Sequence, residues 1–275
     1  MRDLTPAQLA TRSLQTTYRK DIWNPFIAAV KGYQLIGAGD RVAACVSGGK
    51  DSFLTALLLQ QLQRHSDVPF GLTFLCMDPG YKPEDRAAIL ENARRLDLPL
   101  EVFEANIFGY VAKQQGAPCY LCARMRRGHL YKQAQVRGCN KIALGHHFSD
   151  VVETTLMSML YGAQLQTMPP KLKSKNFPGM ELIRPLYRVH EDRILAWQRL
   201  GGLSFLRCGC PLSESTACED ARGSKRGEVK QLIRQLKQQH PDVEKCIFQS
   251  TENVRLDTML GYHYRGERHS FLEEY

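Results

Sequence analysis

The sequence predicts an α/β fold: a doubly wound, mostly parallel sheet with helical extensions at its N- and C-terminal ends. From Arg41 onward, short apolar runs of strand length alternate with longer amphipathic runs, the pattern of βαβ units. Two of the apolar runs lead directly into glycine-bearing polar turns that open helices. A chain of 275 residues is also long enough to bury one substantial core.

The elements follow in order. Residues 5–37 are rich in helix formers, with Leu14, Tyr18, Ile22, Phe26 and Val30 at helical spacing until Gly37-Ala38-Gly39-Asp40 stops the pattern. Strands are expected at 41–46, 70–77, 99–103 and 141–144. Helices are expected at 51–64, 83–96, 120–137 and 149–161, each long enough to cross over the sheet. Pro169-Pro170-Lys171 through Pro178-Gly179 reads as a polar loop, and Leu182-Ile183 as one more strand. Helices near 190–200 and 225–238 close the chain, and the polar, Gly/Ser-rich stretch 213–227 reads as a linker or loop. The expected organisation is a helical extension over 1–37, an α/β domain over 38–212, and a linker with a helical extension over 213–275.

Hydrophobic residues at 43% and charged residues at 24% are the proportions of an ordinary globular protein, which removes the disordered and fibrous classes. Met1-Arg2-Asp3-Leu4-Thr5-Pro6 has no apolar core of a signal peptide, and no stretch approaches the roughly 18 uninterrupted apolar residues that cross a bilayer. No membrane partner and a cytoplasmic location are therefore expected. Nine cysteines spread along a chain of this length point to thiols, metal ligands or redox chemistry rather than a disulfide framework. A net charge of +9 is compatible with a polyanionic partner, although a basic surface also serves solubility.

The strand 41–46 runs into Ser47-Gly48-Gly49-Lys50-Asp51-Ser52 and then a helix. Strand, glycine turn and helix N-terminus bring unpaired backbone N–H groups and the positive end of a helix dipole to one point, which makes an anion site. The glycines allow close approach to phosphate oxygens, the serines add donors, and Lys50 neutralises charge. The spacing is not that of a Walker A loop. It resembles the S-G-G-x-D-S loop of the PP-loop ATP pyrophosphatases, an adenine nucleotide alpha hydrolase-like fold whose members split ATP between its α and β phosphates and adenylate a substrate oxygen. The likeness implies ATP binding by Ser47, Gly48, Gly49, Lys50, Asp51 and Ser52, and contacts to adenine and ribose from Met77 and Asp78 at the end of the second strand. Gly145-His146-His147-Phe148-Ser149-Asp150 resembles the G-H-[HN]-x-x-D motif of the same superfamily, which implies nucleotide contacts by Gly145 and His146 and a catalytic Asp150. A carboxylate beside a triphosphate acts through Mg²⁺ or as a proton acceptor, and Asp150 is also placed to cap its helix.

Cys119-Tyr120-Leu121-Cys122 puts two sulfurs at a helix start within reach of one metal or cluster, where the dipole and the following arginines favour thiolates. Cys208-Gly209-Cys210-Pro211 supplies partners. Ligand chemistry alone leaves a four-cysteine zinc site and a three-cysteine cluster both open. Cys45, Cys76 and Cys139 read as core thiols, and Cys218 and Cys246 have no motif around them.

Over about residues 38–212 the run Cys119-x-x-Cys122, Arg126-Arg127-Gly128, Gly145-His146-His147, Leu160-Tyr161-Gly162, Met168-Pro169-Pro170-Lys171-Leu172 and Ile183-Arg184-Pro185-Leu186 resembles the tRNA 2-thiocytidine synthetase (TtcA) family. That family adenylates the C2 oxygen of an anticodon-loop cytidine and uses a [4Fe–4S] cluster held by three cysteines with one iron open. The likeness implies Cys119 and Cys122 as ligands. It departs at the third, where Cys-Pro-Leu-Ser is closer to the 2-thiouridine synthetases (TtuA) and implies Cys210, with Cys208 in reserve. Arg126 stands four residues after the second cysteine, where the uridine enzymes carry a catalytic lysine, so the expected catalytic set is Asp51, Asp150 and Arg126.

Arg124, Arg126, Arg127 and Lys132 on the helix after the cysteine pair, and Lys171, Lys173 and Lys175 in the loop after the two prolines, are the expected grips on tRNA phosphates. The expected partners are tRNA and a sulfur donor, either a cysteine desulfurase or free sulfide, and a second copy of the chain is possible. Two other readings are a small-molecule PP-loop pyrophosphatase, which needs neither three cysteines nor basic loops, and a zinc-stabilised RNA-binding protein, against which the intact loop 47–52 argues.

Overall fold

The computed structural model describes residues 4–111, 118–200, 203–206 and 224–273. Thr5 opens α1 (Pro6–Gln15) with a capping box: its hydroxyl accepts from the Gln8 N–H, and the Gln8 side chain returns to the Thr5 N–H, with Pro6 in the first turn. A π-helical turn at Arg19–Trp23 leads to α2 (Asn24–Gly32). Leu14, Ile22 and Phe26 are fully buried in one cluster with Val42 and Val46 of the first strand and Phe53 and Leu57 of the helix that follows it. The N-terminal helices thus complete the core on one face of the sheet.

The alternating part consists of β1 (Arg41–Val46), α3 (Lys50–His65), β2 (Gly71–Asp78), α4 (Pro83–Arg95), β3 (Leu100–Glu104), the short α5 (Ile107–Val111), α6 (Pro118–Val136), β4 (Lys141–Ala143) and α7 (Phe148–Gly162). β5 (Lys171–Lys173), β6 (Glu181–Ile183) and α8 (Glu191–Leu200) follow. The sheet order is β3-β2-β1-β4-β6-β5, parallel throughout except for β5 against β6. The chain winds outward from β1 to β3 and then crosses back to β4. The carboxyl ends of β1 and β4 therefore flank the topological switch point, where open α/β sheets form their binding crevice. Both glycine motifs follow those two strands.

Two expectations are corrected. The segment read as a polar loop contains β5, an edge strand carrying Lys171 and Lys173 on one side and an exposed Leu172 between them. Three residues with lysine at alternate positions carry little strand propensity, and lysine on an edge strand deters further pairing. The chain also does not close on the helix near 225–238. After α9 (Lys225–Gln239) come α10 (Val243–Glu252) and a hairpin of β7 (Gly261–Tyr264) and β8 (Glu267–Ser270). Arg265 and Gly266 turn that hairpin with φ of 52° and 94°, a primed turn without its usual Asn-Gly signature. Among the described residues no helix is long and apolar enough to cross a membrane.

Because Phe26 is fully buried in the cluster that also holds β1 and α3, Phe26→Ala should cost about 3–5 kcal/mol. Urea unfolding should show the loss in a single transition. A cost well below about 1 kcal/mol, or a separate early transition, would mean that the N-terminal helices do not share the core.

Candidate functional site

β1 delivers the chain to Ser47, and Gly49 takes the N-cap position of α3. The turn is tied from within, as the Ser47 N–H donates to Ser52 Oγ at 3.0 Å and that hydroxyl donates to the Gly49 carbonyl at 2.8 Å. Gly48 sits at φ +88°, and a Cβ there would lie 2.8 Å from Leu206. Leu206 in turn donates its N–H to the Gly48 carbonyl at 3.0 Å. The segment just before the Cys208–Cys210 pair is therefore pinned to the phosphate loop.

From the other side of the switch point comes Gly145. A Cβ on it would lie 2.8 Å from the Asp51 carbonyl carbon, 2.9 Å from its oxygen and 2.9 Å from the Ser52 nitrogen. Backbone meets backbone there, with no room for a side chain. His147 is the N-cap of α7 and forms a reciprocal box with Asp150: the Asp150 N–H donates to His147 Nδ1 at 3.3 Å, and the His147 N–H donates to Asp150 Oδ2 at 3.0 Å. Asp150 thus takes part in capping its helix through Oδ2, while its Oδ1 accepts from Arg226 Nη1 at 3.4 Å.

These two turns enclose a cavity of about 360 Å³. Its walls include Ser47, Gly49, Asp51, Ser52, Met77, Gly145, His146 and Asp150, together with Arg126 and Arg127 of α6. Eight of the residues singled out from the two motifs and the second strand thus meet at one place, with two arginines from the helix after the cysteine pair. Asp78 does not line it. Its Oδ1 accepts from the Gly80 and Tyr81 N–H groups at 2.9 and 2.8 Å, and Arg86 approaches Oδ2 at 3.6 Å.

The charges around the cavity form a network. Lys50 Nζ lies 3.0 Å from Asp51 and 3.4 Å from Glu191 Oε1, while His147 Nε2 is 3.9 Å from both carboxylates. Arg226 and Lys230 of α9 reach in from the C-terminal region: Arg226 Nη1 is 3.4 Å from Asp150, and Lys230 Nζ is 3.8 Å from both Glu153 and Glu191. Burial would raise the Asp150 and Glu191 carboxyls, but His147 and the neighbouring cations outweigh it and hold both below the usual carboxylate range. Burial pushes the His146 imidazole down to about 4, so it is neutral at neutral pH, and its Nδ1 is buried without a hydrogen-bond partner. Burial pushes Glu153 up to about 7, against Lys230. Sequence reasoning missed Glu191, Arg226 and Lys230. No motif surrounds them, and only the fold brings them to the switch point.

Asp51 Oδ1 is buried without a hydrogen-bond partner beside the phosphate loop, a carboxylate oxygen suited to Mg²⁺ on a triphosphate. For the cysteines, Cys122 is half-buried against Met77, Ala105, Ile107 and Val111, one residue from the cavity wall at Ala123. The side chain of Cys119, and Cys208 and Cys210 entirely, lie outside the described residues, as does Cys218. Among the described residues no three His, Cys, Asp or Glu side chains converge as metal ligands. Among the described residues, α6 borders the cavity through Ala123, Arg126 and Arg127, and Leu206 bonds the Gly48 carbonyl of the phosphate loop. Cys45, Cys76 and Cys139 are buried thiols, Cys76 pushed up to about 12 by burial, while Cys246 is exposed.

The basic residues are spread more widely. Arg124, Arg127 and Lys132 are exposed on α6, and Lys173 and Lys175 are exposed around β5. Lys171 is half-buried and donates to the Gln34 carbonyl at 2.9 Å.

Two predictions follow from this geometry. Gly145→Ala should displace the phosphate loop and lower ATP affinity by about tenfold or more, as a misplacement near 1 Å costs up to about a hundredfold in a positioned site; titration with a non-hydrolysable ATP analogue measures it, and unchanged affinity would contradict the contact. The second concerns Glu153, which in the folded chain keeps its proton from the ordinary 4.5 up to about 7, while the unfolded chain has lost it. The stability contributed by this group therefore falls as pH rises through that window. Glu153→Gln should remove that decline, so the stability of the wild type relative to the variant should drop between pH 4.5 and 7; parallel profiles would contradict it.

Residues 26–208 match the PP-loop domain family. The chain is 32% identical over 241 residues to a tRNA-cytidine(32) 2-sulfurtransferase of Pelobacter propionicus, covering 86% of this chain and 87% of that one. It is 34% identical over 242 residues to the protein of the same name from Geobacter metallireducens, covering 86% and 91%. Its fold is similar to that of the U34-tRNA thiolase NcsA from Methanococcus maripaludis, solved with its [4Fe-4S] cluster, with a TM-score of 0.66, 23% identity, and coverage of 83% of this chain and 76% of that one.

Proposed function

From the premise that the chain belongs to the PP-loop domain family and, within it, to the tRNA-cytidine(32) 2-sulfurtransferases, we propose how its residues carry out ATP-dependent tRNA thiolation. The observation that carries the reading is the single cavity at the switch point, where the phosphate loop, the Gly145–Asp150 turn and Arg126 and Arg127 converge. A carbonyl-type oxygen on a base is a poor leaving group, so it is first converted to a phosphate ester. The C2 oxygen of the cytidine attacks the α-phosphorus of ATP, pyrophosphate departs, a sulfur nucleophile adds at C2, and AMP leaves with the original oxygen.

The N–H groups of Ser47–Ser52 and the N-terminus of α3 hold the phosphates. Lys50, now shared between Asp51 and Glu191, turns to the charge that develops on pyrophosphate. Asp51 supplies the buried oxygen that would hold Mg²⁺. Asp150, kept ionised by His147 and Arg226, stands at the cavity wall as a proton acceptor for the amino-substituted base. Met77, Gly145 and neutral His146 form the adenine side. Arg126 steadies the adenylated base or the departing phosphate. Cys119, Cys122 and Cys210, with Cys208 in reserve, would hold a [4Fe–4S] cluster, whose open iron would hold a donated sulfide for transfer. Arg124, Arg127, Lys171, Lys173 and Lys175 grip RNA phosphates while the base is splayed into the cavity. The sulfur comes from a cysteine desulfurase or free sulfide, the protein acts in the cytoplasm, and the acting unit is one chain or a homodimer.

Phosphate handling and sulfur handling rest on different side chains, so they should separate. Asp51→Ala should lower the thiolation rate about a hundredfold or more with iron per chain unchanged. Cys119→Ala, Cys122→Ala and Cys210→Ala should each lose iron and activity together after anaerobic reconstitution, while Cys208→Ala keeps most of both. Full activity in Asp51→Ala would contradict the phosphate assignment, and loss of iron in Cys208→Ala alone would exchange the third ligand.

A further inference from the structure

A second groove lies at the far end of α3 from the phosphate loop, with a volume of about 760 Å³. Its walls are one side of α1 along its whole length and the last turns of α3 and α4 with the residues that follow α4. Four arginines line it, Arg12, Arg64, Arg94 and Arg95, and among the described residues Asp97 is the one acidic residue that does. Arg64 approaches Asp97 at 3.6 Å, Arg94 is held by exposed Glu91, and Arg12 has no carboxylate partner among the described residues. Such exposed pairs yield readily to a competing anion.

A second feature of the groove asks for a donor rather than an anion. Gln60 lines it and is 6% exposed. Its Nε2 donates to the Asp97 carbonyl at 2.7 Å, which fixes the amide orientation and leaves Oε1 buried without a hydrogen-bond partner. The groove wall therefore carries cations for phosphate and, in the buried Gln60 Oε1, an acceptor that lacks an O–H or N–H donor. A sugar–phosphate backbone offers both when each phosphate neighbours a 2′-hydroxyl, which is the chemistry of RNA and not of DNA.

We propose that this groove is a second RNA-binding site, one that takes the ribose–phosphate backbone of the substrate tRNA away from the modified base. The proposal rests on the tRNA-thiolation reading. α3 has 16 residues, so its two ends, and the two sites, are separated by about 20 Å. A mononucleotide cannot span that distance, whereas a folded RNA can touch both. The groove then helps to select for a folded tRNA over a short single strand with the same loop sequence.

The test is the double variant Arg12→Ala/Arg64→Ala, two exposed positions outside the core and the catalytic cavity. Binding of unmodified tRNA is measured across a series of salt concentrations, with inorganic phosphate and AMP titrated separately. Losing two phosphate contacts should reduce the slope of log affinity against log salt by about 1.4 to 1.8, with unchanged affinity for an ATP analogue and an unchanged melting temperature. Gln60→Met should narrow the preference for an RNA stem-loop over the DNA strand of the same sequence. An unchanged slope in a double variant whose wild type binds tRNA would overturn this site alone. Loss of phosphate or AMP binding with the tRNA slope intact would make the groove a small-anion site and overturn it equally. A wild-type chain that binds no tRNA would overturn the thiolation reading, and this site with it.

Discussion

The site depends on one close approach: the backbone of Gly145 against the backbone of Asp51 and Ser52. Two loops that follow adjacent parallel strands can share a ligand only if nothing stands between them, and a single methyl group at residue 145 would fill the gap. β1 and β4 pair directly, with Ala44 opposite Ala143, so the ends of the strands set the loops side by side. Glycine then lets the Gly145–Asp150 turn close down on the start of α3. The cavity, the capping of α7 by His147 and the position of Asp150 all follow from that contact.

Closing the loops concentrates charge. Asp51, Asp150, Glu153 and Glu191 lie together at partly buried positions, offset by Lys50, Arg226 and Lys230 and by His147 between them. Most of these contacts are 3.4–3.9 Å, longer than good charge-assisted hydrogen bonds. Asp51 Oδ1, Glu153 Oε2 and Arg226 Nε are left without hydrogen-bond partners. A loosely satisfied network of this kind is arranged around charges that arrive with substrate, a tetra-anionic nucleotide and its cation, more than for its own stability. Arg226 and Lys230 also tie α9, which lies beyond the matched domain, to the centre of the chemistry.

Much of this was legible in the residues. Strand–glycine–helix junctions carry their signals within a few positions, so Ser47–Ser52 and Gly145–Asp150 could be read as two sides of one site, and the parallel sheet that joins them followed from the alternation of elements. Contributions fixed only by tertiary structure were not legible: Glu191, Arg226 and Lys230 are surface-type residues on ordinary amphipathic helices until α9 packs on α7 and α8 on α3. Asp78 shows the reverse, since a carboxylate at a strand end reads as a ligand contact from sequence, yet its hydrogen bonds close the turn at Gly80 and Tyr81. β5 and the Arg265–Gly266 hairpin escaped notice because neither carries the local propensities that mark strands and turns.

In the proposed reaction one cavity adenylates a tRNA cytidine and exchanges its C2 oxygen for sulfur. The direct measurement is to incubate the anaerobically reconstituted protein with unmodified tRNA, ATP, Mg²⁺ and sulfide, digest the RNA, and quantify nucleosides by mass spectrometry alongside AMP and pyrophosphate. 2-Thiocytidine should form, with one AMP and one pyrophosphate released for each sulfur incorporated and none formed without ATP. Thiolated uridine in its place, ADP and orthophosphate as the products of ATP, or 2-thiocytidine formed without ATP would contradict it.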